Sequence, residues 1–494
     1  MKEVNIKRDY KIFNHEPKQV LKNFANISKI PRVSGNSKQI SNYLFDFFKK
    51  FATTVKKDKA NNIIAFLKAT KGYEDRPPVC LQSHYDMVYD VHKDYKHNPK
   101  KDQIKPYIKD GWLKAEGTTL GADNGIGVAM IMSIFEDKKI EHGPIWAILT
   151  SDEEIGTVGA AKLERNSTDA RYLINIDAEK NNRIYIGCGC GKGYAAYTKI
   201  KFVDFNKSDF LFKISIEGLL GGHSGMEIHK RKANATVILS NFIYELAKTI
   251  KLNLVDIEIG KAINAIPTNG WVSVAIAQDD VEDFKTQLLI MFNDFKTTYG
   301  EDEPNFITNF EQLSIHHEKK ISQKDTQRIL NAMMLIPNGM VYYDQKYTCS
   351  MLSNNISKID IINDTFNINW LARGLYEFDV NLLNEKALVA VRTLEFEKIE
   401  MNLTYQNWIP YKGKLLNIYR QIIEKNLNQK TEDFVFACAG LEVGVILKRN
   451  ASIAEAISIG PNIVDAHSYS EKTSLESIEV LWKSLKELLI KLDK

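Results

Sequence analysis

Four runs of apolar residues in this chain end in side chains that bind metal ions, and that coincidence narrows the possible architectures sharply. VCLQSHYD delivers His84 and Asp86, and WAILTSDEE delivers Asp152, Glu153 and Glu154. YLINIDAE delivers Asp177 and Glu179, and AISIGPNIVDAHS reaches His467 after a short loop. The runs have the length of buried strands, and the first is opened by Pro77-Pro78. A single acid at a strand end is usually a cap or a solvated edge. Random placement would scatter such residues over both ends of a sheet, whereas here they collect at one end of each run. In an open α/β sheet ligands bind beyond the carboxyl ends of the strands, so these side chains are expected to converge on one crevice. Asp123 joins them by opening a helix in AEGTTLGADNGIG, where glycines permit a tight backbone approach.

The surrounding pattern agrees with an α/β fold. Helical spacing of apolar residues at 20–30 and 40–51 is followed by strand-like runs at 62–67 and 78–82, a helix from about Asp123, and further strands at 145–150, 172–176 and 183–186. Strands alternating with helices predict a mostly parallel central sheet covered by helices. The texture changes in the middle of the chain. Residues 210–216 alternate as a half-buried strand, 233–252 read as a long helix and 382–393 as another. Residues 415–425, 434–437, 454–459 and 474–492 return to helix, strand, strand and closing helix. The reading is therefore two domains: residues 1–194 and 404–494 form one, and 195–403 form an inserted α+β domain. A length of 494 residues suffices for two large domains at ~150 or more residues each.

Two histidines with several carboxylates make a ligand set for zinc, manganese or cobalt, with too little sulfur for an iron–sulfur cluster. The five cysteines are widely spaced apart from Cys188-Gly-Cys190, so neither a disulfide framework nor a thiolate zinc site is expected. Adjacent side chains point different ways, so of Glu153 and Glu154 one can ligate while the other acts as general base. His84 and Asp86 can share a strand face, letting the carboxylate brace the imidazole. The chemistry implied is metal-assisted hydrolysis.

SHYDMV, AEGTTLGADNGIGVA, TSDEEIG, NIDAE, GLLGGHSGMEIH, NAIP, CAGLEVG and SIGPNIVDAHS occur in an order and spacing that resemble the co-catalytic zinc peptidases. That family includes aminoacylases, carnosinases and carboxypeptidase G, and the likeness is greatest to its peptidase D branch, the aminoacyl-histidine dipeptidases. It spans nearly the whole chain. The resemblance implies two divalent ions per subunit, zinc foremost, with cobalt or manganese as alternatives. One ion would be held by His84 and Asp177, the other by Glu154 and His467, with Asp123 bridging. Glu153 would be the general base and Asp86 the orienter of His84. The inserted domain would be a lid that also mediates a homodimer. His223, in GGHSG, would polarise the scissile carbonyl in its own subunit or across the dimer. Arg373 matches an arginine expected to hold the substrate's terminal carboxylate, against the plainer reading of a strand arginine paired at the surface. Asn264 and Glu442 are further substrate contacts on the same basis. The implied substrates are dipeptides.

Three departures from the family pattern bear on substrate choice. Thr268 follows NAIP where the pattern has arginine, Cys438 stands at a histidine position, and DAHSYS replaces Gly-Pro-His-Ser-Pro. Alternatives to a dipeptidase are an amidohydrolase of N-acyl amino acids and a catalytically silent peptide-binding or scaffold protein.

The remaining signals are bland. GCGCGKGY resembles a phosphate loop, but Lys192 is followed by Gly193 instead of Ser or Thr. His316-His317 beside Glu318-Lys319-Lys320 reads as solvated surface. With 66 basic and 62 acidic side chains the net charge is +4, too balanced for a dedicated nucleic-acid binder. The first twenty residues lack a signal-peptide core, and no run of about 18 apolar residues follows, so a cytoplasmic chain without a membrane partner is expected.

Overall fold

The strand Val79–His84 is buried at all six positions and forms the middle of the first of two units. In the computed structural model, residues 8–315, 319–345, 349–436 and 439–492 are described. Cys438, His316 and His317 lie outside them. One unit comprises Met1–Cys188, Trp408–Phe436 and Leu441–Lys494, the other Gly189–Asn407 and Ala437–Gly440.

In the first unit eight strands run in the order Thr54–Lys57, Ile63–Leu67, Ile145–Thr150, Val79–His84, Tyr172–Asn175, Glu455–Ser458, Arg183–Cys188 and Glu432–Phe436. The expected α/β architecture is present, and its central pairings are parallel: Val79–His84 pairs with Ile145–Thr150 and Tyr172–Asn175, which in turn pairs with Glu455–Ser458. Registers that set His84 opposite Thr150 and Gln82 opposite Asn175 bring the carboxyl ends of these strands level. Parallel neighbours need long crossovers, and the helix Ala122–Glu136 lies within one of them. The sheet departs from parallel order at Thr54–Lys57 and Ile63–Leu67, which form an antiparallel hairpin. Its turn is too short for anything else. Asp58 Oδ1 accepts from the backbone of Ala60 at 2.8 Å and Asn62 at 2.9 Å, and Asn61 takes φ 69°.

Helix Ala122–Glu136 is buried over nearly its whole length, as its uniformly apolar sequence requires, and Phe135 meets Phe48 of helix Lys38–Phe51 edge-on at 4.9 Å. A smaller antiparallel sheet of Pro106–Lys109, Trp112–Ala115, Lys472–Ser474 and Ile463–Val464 frames the loop that carries His467.

The second unit is built on a nine-stranded sheet whose pairings are all antiparallel, from Ile307–Leu313 at one edge to Lys398–Tyr405 at the other. Its core includes Phe212, Phe284, Phe366 and Trp370, with apolar side chains of helices Ala235–Thr249, Val281–Tyr299, Gln323–Leu335 and Glu377–Thr393. Asn234 caps the first of these helices by accepting from Thr236 N at 2.8 Å. GCGCGKGY is no phosphate loop. It forms the end of strand Arg183–Cys188 and the start of strand Cys190–Lys199, and Lys192 pairs with Glu377 at 3.1 Å.

Candidate active site

Three strand ends and one loop of the first unit place the other four expected ligands around Asp123. His84 closes its strand, Glu154 follows Ile145–Thr150, and Asp177 follows Tyr172–Asn175. His467 sits at φ 65° in its loop. The two oxygens of Asp123 face different imidazoles: Oδ1 is 3.1 Å from His84 Nε2, and Oδ2 is 3.1 Å from His467 Nε2. Asp177 Oδ1 lies 3.2 Å from His84 Nε2, and Glu154 Oε1 lies 3.0 Å from His467 Nε2. Asp123 thus stands between two half-sites of one histidine and one carboxylate each. It can be so presented because the helix is interrupted in its first turn, where Asp123 has ψ 110° and Asn124 φ -110°. The Asn124 side chain donates to Asp177 Oδ1 and accepts from Ser83 Oγ at 2.7 Å.

Asp86 is fully buried and performs several tasks. Its Oδ1 lies 3.4 Å from His84 Nδ1 and accepts from Glu153 N at 3.0 Å. Oδ2 accepts from Glu154 N at 3.3 Å and from Ser34 Oγ at 2.8 Å. One carboxylate therefore lies against the imidazole and holds the backbone of both glutamates.

The electrostatics follow from crowding acids around two imidazoles. Hydrogen bonds to Asp123 and Glu154 push His467 up to about 11. Burial works against a charged His84, but Asp177 and hydrogen bonds to Asp123, Asp177 and Asp86 outweigh it, and its pKa rises. Burial likewise opposes ionisation of Asp123, yet both histidines hold it below the usual carboxylate range. Glu153 is pushed well up, by burial first and then by the charges of Asp177, Glu442 and Glu154, with His84 opposing. A site with imidazoles and carboxylates converging and no lysine or arginine among the ligands has the chemistry of a divalent-cation site. Among the described residues, His84, Asp123 and Glu154 have ligand atoms within 4.8 Å of one another. The residues fit a metal centre.

Glu442, read from the sequence as a substrate contact, opens helix Glu442–Arg449 in this unit. It is wholly buried, and its Oε2 accepts from Gln82 Nε2 at 2.6 Å and Thr150 Oγ1 at 2.5 Å. Gln82 Oε1 in turn accepts from Asn175 Nδ2 at 2.5 Å. Burial lifts the Glu442 acid to about 8, and its Oε2 ties strand Val79–His84 to strand Ile145–Thr150.

The second unit holds the other sequence-derived candidates. His223 lies in the short strand Gly222–His223, which pairs with Ala265–Ile266, and Asn264 is exposed in the adjoining turn with its carbonyl accepting from Ser224 N at 2.8 Å. Arg373, 5% exposed, closes strand Thr365–Gly374 and lies with Nη2 3.5 Å from His223 Nε2, so the surface-pair reading does not hold. Burial, then the Arg373 charge, pushes His223 down to about 4 and keeps it neutral at physiological pH. Thr268 packs against Gly221, one residue before that strand.

Sequence reasoning missed Tyr405, whose hydroxyl accepts from Arg373 Nη1 at 2.6 Å. Its ring fills space left by Gly191 and Gly440, where a Cβ at either would overlap it. The available signal was the glycine pair of GCGCG and CAGLE, whose meaning depends on a strand far along the chain. Also missed were Arg32 and Glu471, both buried next to the Asp123 turn.

The model of peptidase family M20/M25/M40 matches residues 80–491. The cytosol non-specific dipeptidase of Escherichia coli strain K12 is 33% identical over 470 residues, covering 94% of this chain and 96% of that protein. The crystal structure of aminoacylhistidine dipeptidase from Vibrio alginolyticus superposes with a TM-score of 0.86 at 29% identity, over 97% of this chain and 98% of that one. Human carnosine dipeptidase 1, at 13% identity and a TM-score of 0.52 over 98% of each chain, shares the fold.

Proposed function

The chain belongs to peptidase family M20/M25/M40, and from that premise we propose that it is a metal-dependent dipeptidase acting through a glutamate base. The observation that carries this reading is the single carboxylate of Asp123 shared between the half-sites of His84 with Asp177 and His467 with Glu154. These five residues are the assigned ligands of two divalent ions, zinc first. Bound there, the ions supply Lewis acidity that lowers the pKa of water and polarises the carbonyl.

The chain's own groups do the rest. Glu153 accepts a proton from the attacking water as the new C–O bond forms, and returns it to the amine nitrogen as the C–N bond breaks, releasing two amino acids. Its raised pKa suits a group that must carry a proton between these steps. Asp86 holds Glu153 through its backbone N–H and His84 through its ring. His223, kept neutral, is assigned the hydrogen bond that stabilises the tetrahedral oxyanion. Arg373, oriented by Tyr405, is assigned the carboxylate of the substrate. Asn264, beside the His223 strand, is assigned a substrate contact.

The relative named for a lack of specificity and the one named for aminoacyl-histidine bracket the substrate range, and Thr268 and Cys438 lie where this chain departs from the family pattern. The unit of Met1–Cys188, Trp408–Phe436 and Leu441–Lys494 is read as the catalytic domain and the other as a lid through which a homodimer forms. Among the described residues no helix is long and apolar enough to cross a membrane. The assignment of the protein to the cytoplasm is supported by the name of its relative, the cytosol non-specific dipeptidase. A dipeptide panel that includes histidine-terminated members and N-acyl amino acids tests the activity. Turnover of dipeptides by zinc-loaded protein, abolished in Glu153→Gln with the metal still bound, is expected. Preferential turnover of N-acyl amino acids would move the assignment to an amidohydrolase. Sedimentation velocity tests the dimer.

A further inference from the structure

Glu471 stands four residues beyond His467 and is 1% exposed. Its carboxylate accepts three consecutive backbone N–H groups: Gly121 at 2.7 Å on Oε2, and Ala122 at 2.9 Å and Asp123 at 3.2 Å on Oε1. One side chain thus ties the loop that presents His467 to the turn that presents Asp123, across 348 to 350 residues of sequence.

Arg32, 2% exposed, grips the same turn from another side. Its Nη1 donates to the carbonyls of Tyr85 at 3.0 Å and Asp86 at 3.3 Å, and Nη2 donates to the carbonyl of Gly121 at 2.5 Å. The backbone immediately past His84 is thereby fastened to the Asp123 turn. Gly121, at φ 68°, and Gly125 leave room for this guanidinium, since a Cβ on either would collide with it. These are the glycines of GADNG.

Neither residue is placed to bind a metal. Arg32 is a cation, and the Glu471 oxygens are committed to backbone N–H groups. A buried carboxylate and a buried guanidinium are costly unless bonded, and the bonds made by the Glu471 oxygens and by Nη1 and Nη2 of Arg32 go to the segments that carry three of the assigned ligands. We propose that Glu471 and Arg32 are positioning residues that fix the Asp123 carboxylate between His84 and His467, so that the ligand geometry is set before ions bind. The inference rests on the reading of those three residues as ligands.

The test uses the full chain stripped by chelation and titrated with zinc in competition with a chromophoric chelator. Partners that orient metal ligands typically contribute about 10–100-fold in affinity, and a loss of that size is expected in E471Q and in R32K. Far-UV circular dichroism of both metal-free variants should match the parent's although they melt earlier, and zinc affinity measured well below the variants' melting temperature separates positioning from a general contribution to folding. Parent-like zinc affinity in a natively folded E471Q overturns the inference, whether or not the metal-free protein melts earlier. Should E471Q not reach the parent's spectrum, R32K is judged by the same criteria and decides. If the parent binds no stoichiometric zinc, the ligand reading itself has failed; if the parent binds zinc and the variants bind it equally well, only the positioning role has.

Discussion

The two units treat histidine in opposite ways. In the first, His84 and His467 are ringed by carboxylates that raise their affinity for a proton, and thus for any cation. In the second, His223 is recessed beside Arg373 and driven down to about 4. The same side chain holds a proton more tightly in one place and less tightly in the other. The difference comes from the surroundings and not from the imidazole: four acids, Asp86, Asp123, Asp177 and Glu154, gather around the first two rings, whereas burial first and then the Arg373 guanidinium disfavour a charge on His223.

The sharpest way to break this contrast is at the acid-rich site. Glu153→Gln is expected to lower kcat by roughly 10²–10⁴-fold while elemental analysis still finds the ions, because the proton carrier is lost and the ligands are not. A variant with kcat near the parent's would remove Glu153 from the mechanism. Metal removal by chelation should abolish turnover, and His467→Ala should lower bound metal.

The second unit's contribution is expected to be smaller. His223→Ala should reduce kcat by about 10²–10³-fold, the usual cost of one oxyanion donor, with metal content unchanged. Loss of metal in that variant would mean that the two histidine environments are not separate in function. Arg373→Ala should raise KM about 10–100-fold for dipeptides with a free carboxylate, in line with a charged hydrogen bond of about 1.5–3 kcal/mol, and much less for dipeptide amides. Tyr405→Phe should do the same in milder form, because it removes only the acceptor that aims the guanidinium.

The smallest effect is also the most direct reading of the contrast. NMR titration of His223 should show a midpoint near 4, moving toward the ordinary 6.5 or so in Arg373→Ala. The sign for stability follows. A histidine whose folded pKa is lowered contributes fully above its unfolded pKa, and that contribution is lost as pH falls from about 6.5 toward 4. His223→Gln should therefore flatten part of the acid side of the stability profile in chemical denaturation. An unchanged slope would mean that His223 is not held neutral.

The convergence of histidines and carboxylates was legible because its signals are local. An apolar run identifies a strand by its period, and the residue at the end of the run inherits its place from the strand, as with His84, Asp177 and Glu154. Helix 233–252 was legible for the same reason, and the structure places it at Ala235–Thr249 with Asn234 as cap. The setting of Glu442 was not legible, because a motif gives a residue's neighbours in sequence and not its burial. Only packing puts its carboxylate against Gln82 and Thr150, on strands more than 290 residues away.

Sequence alone thus determined the α/β architecture, the order of the motifs and which residue types meet at the strand ends, since periodicity and strand polarity are properties of short segments. The tertiary structure decided how the meeting is held together. Glu471 and Arg32 act on backbone N–H and carbonyl groups, and Tyr405 occupies space left by two glycines. Every residue carries the same backbone groups and absent side chains have no letter, so these partners acquire an identity only when the chain folds.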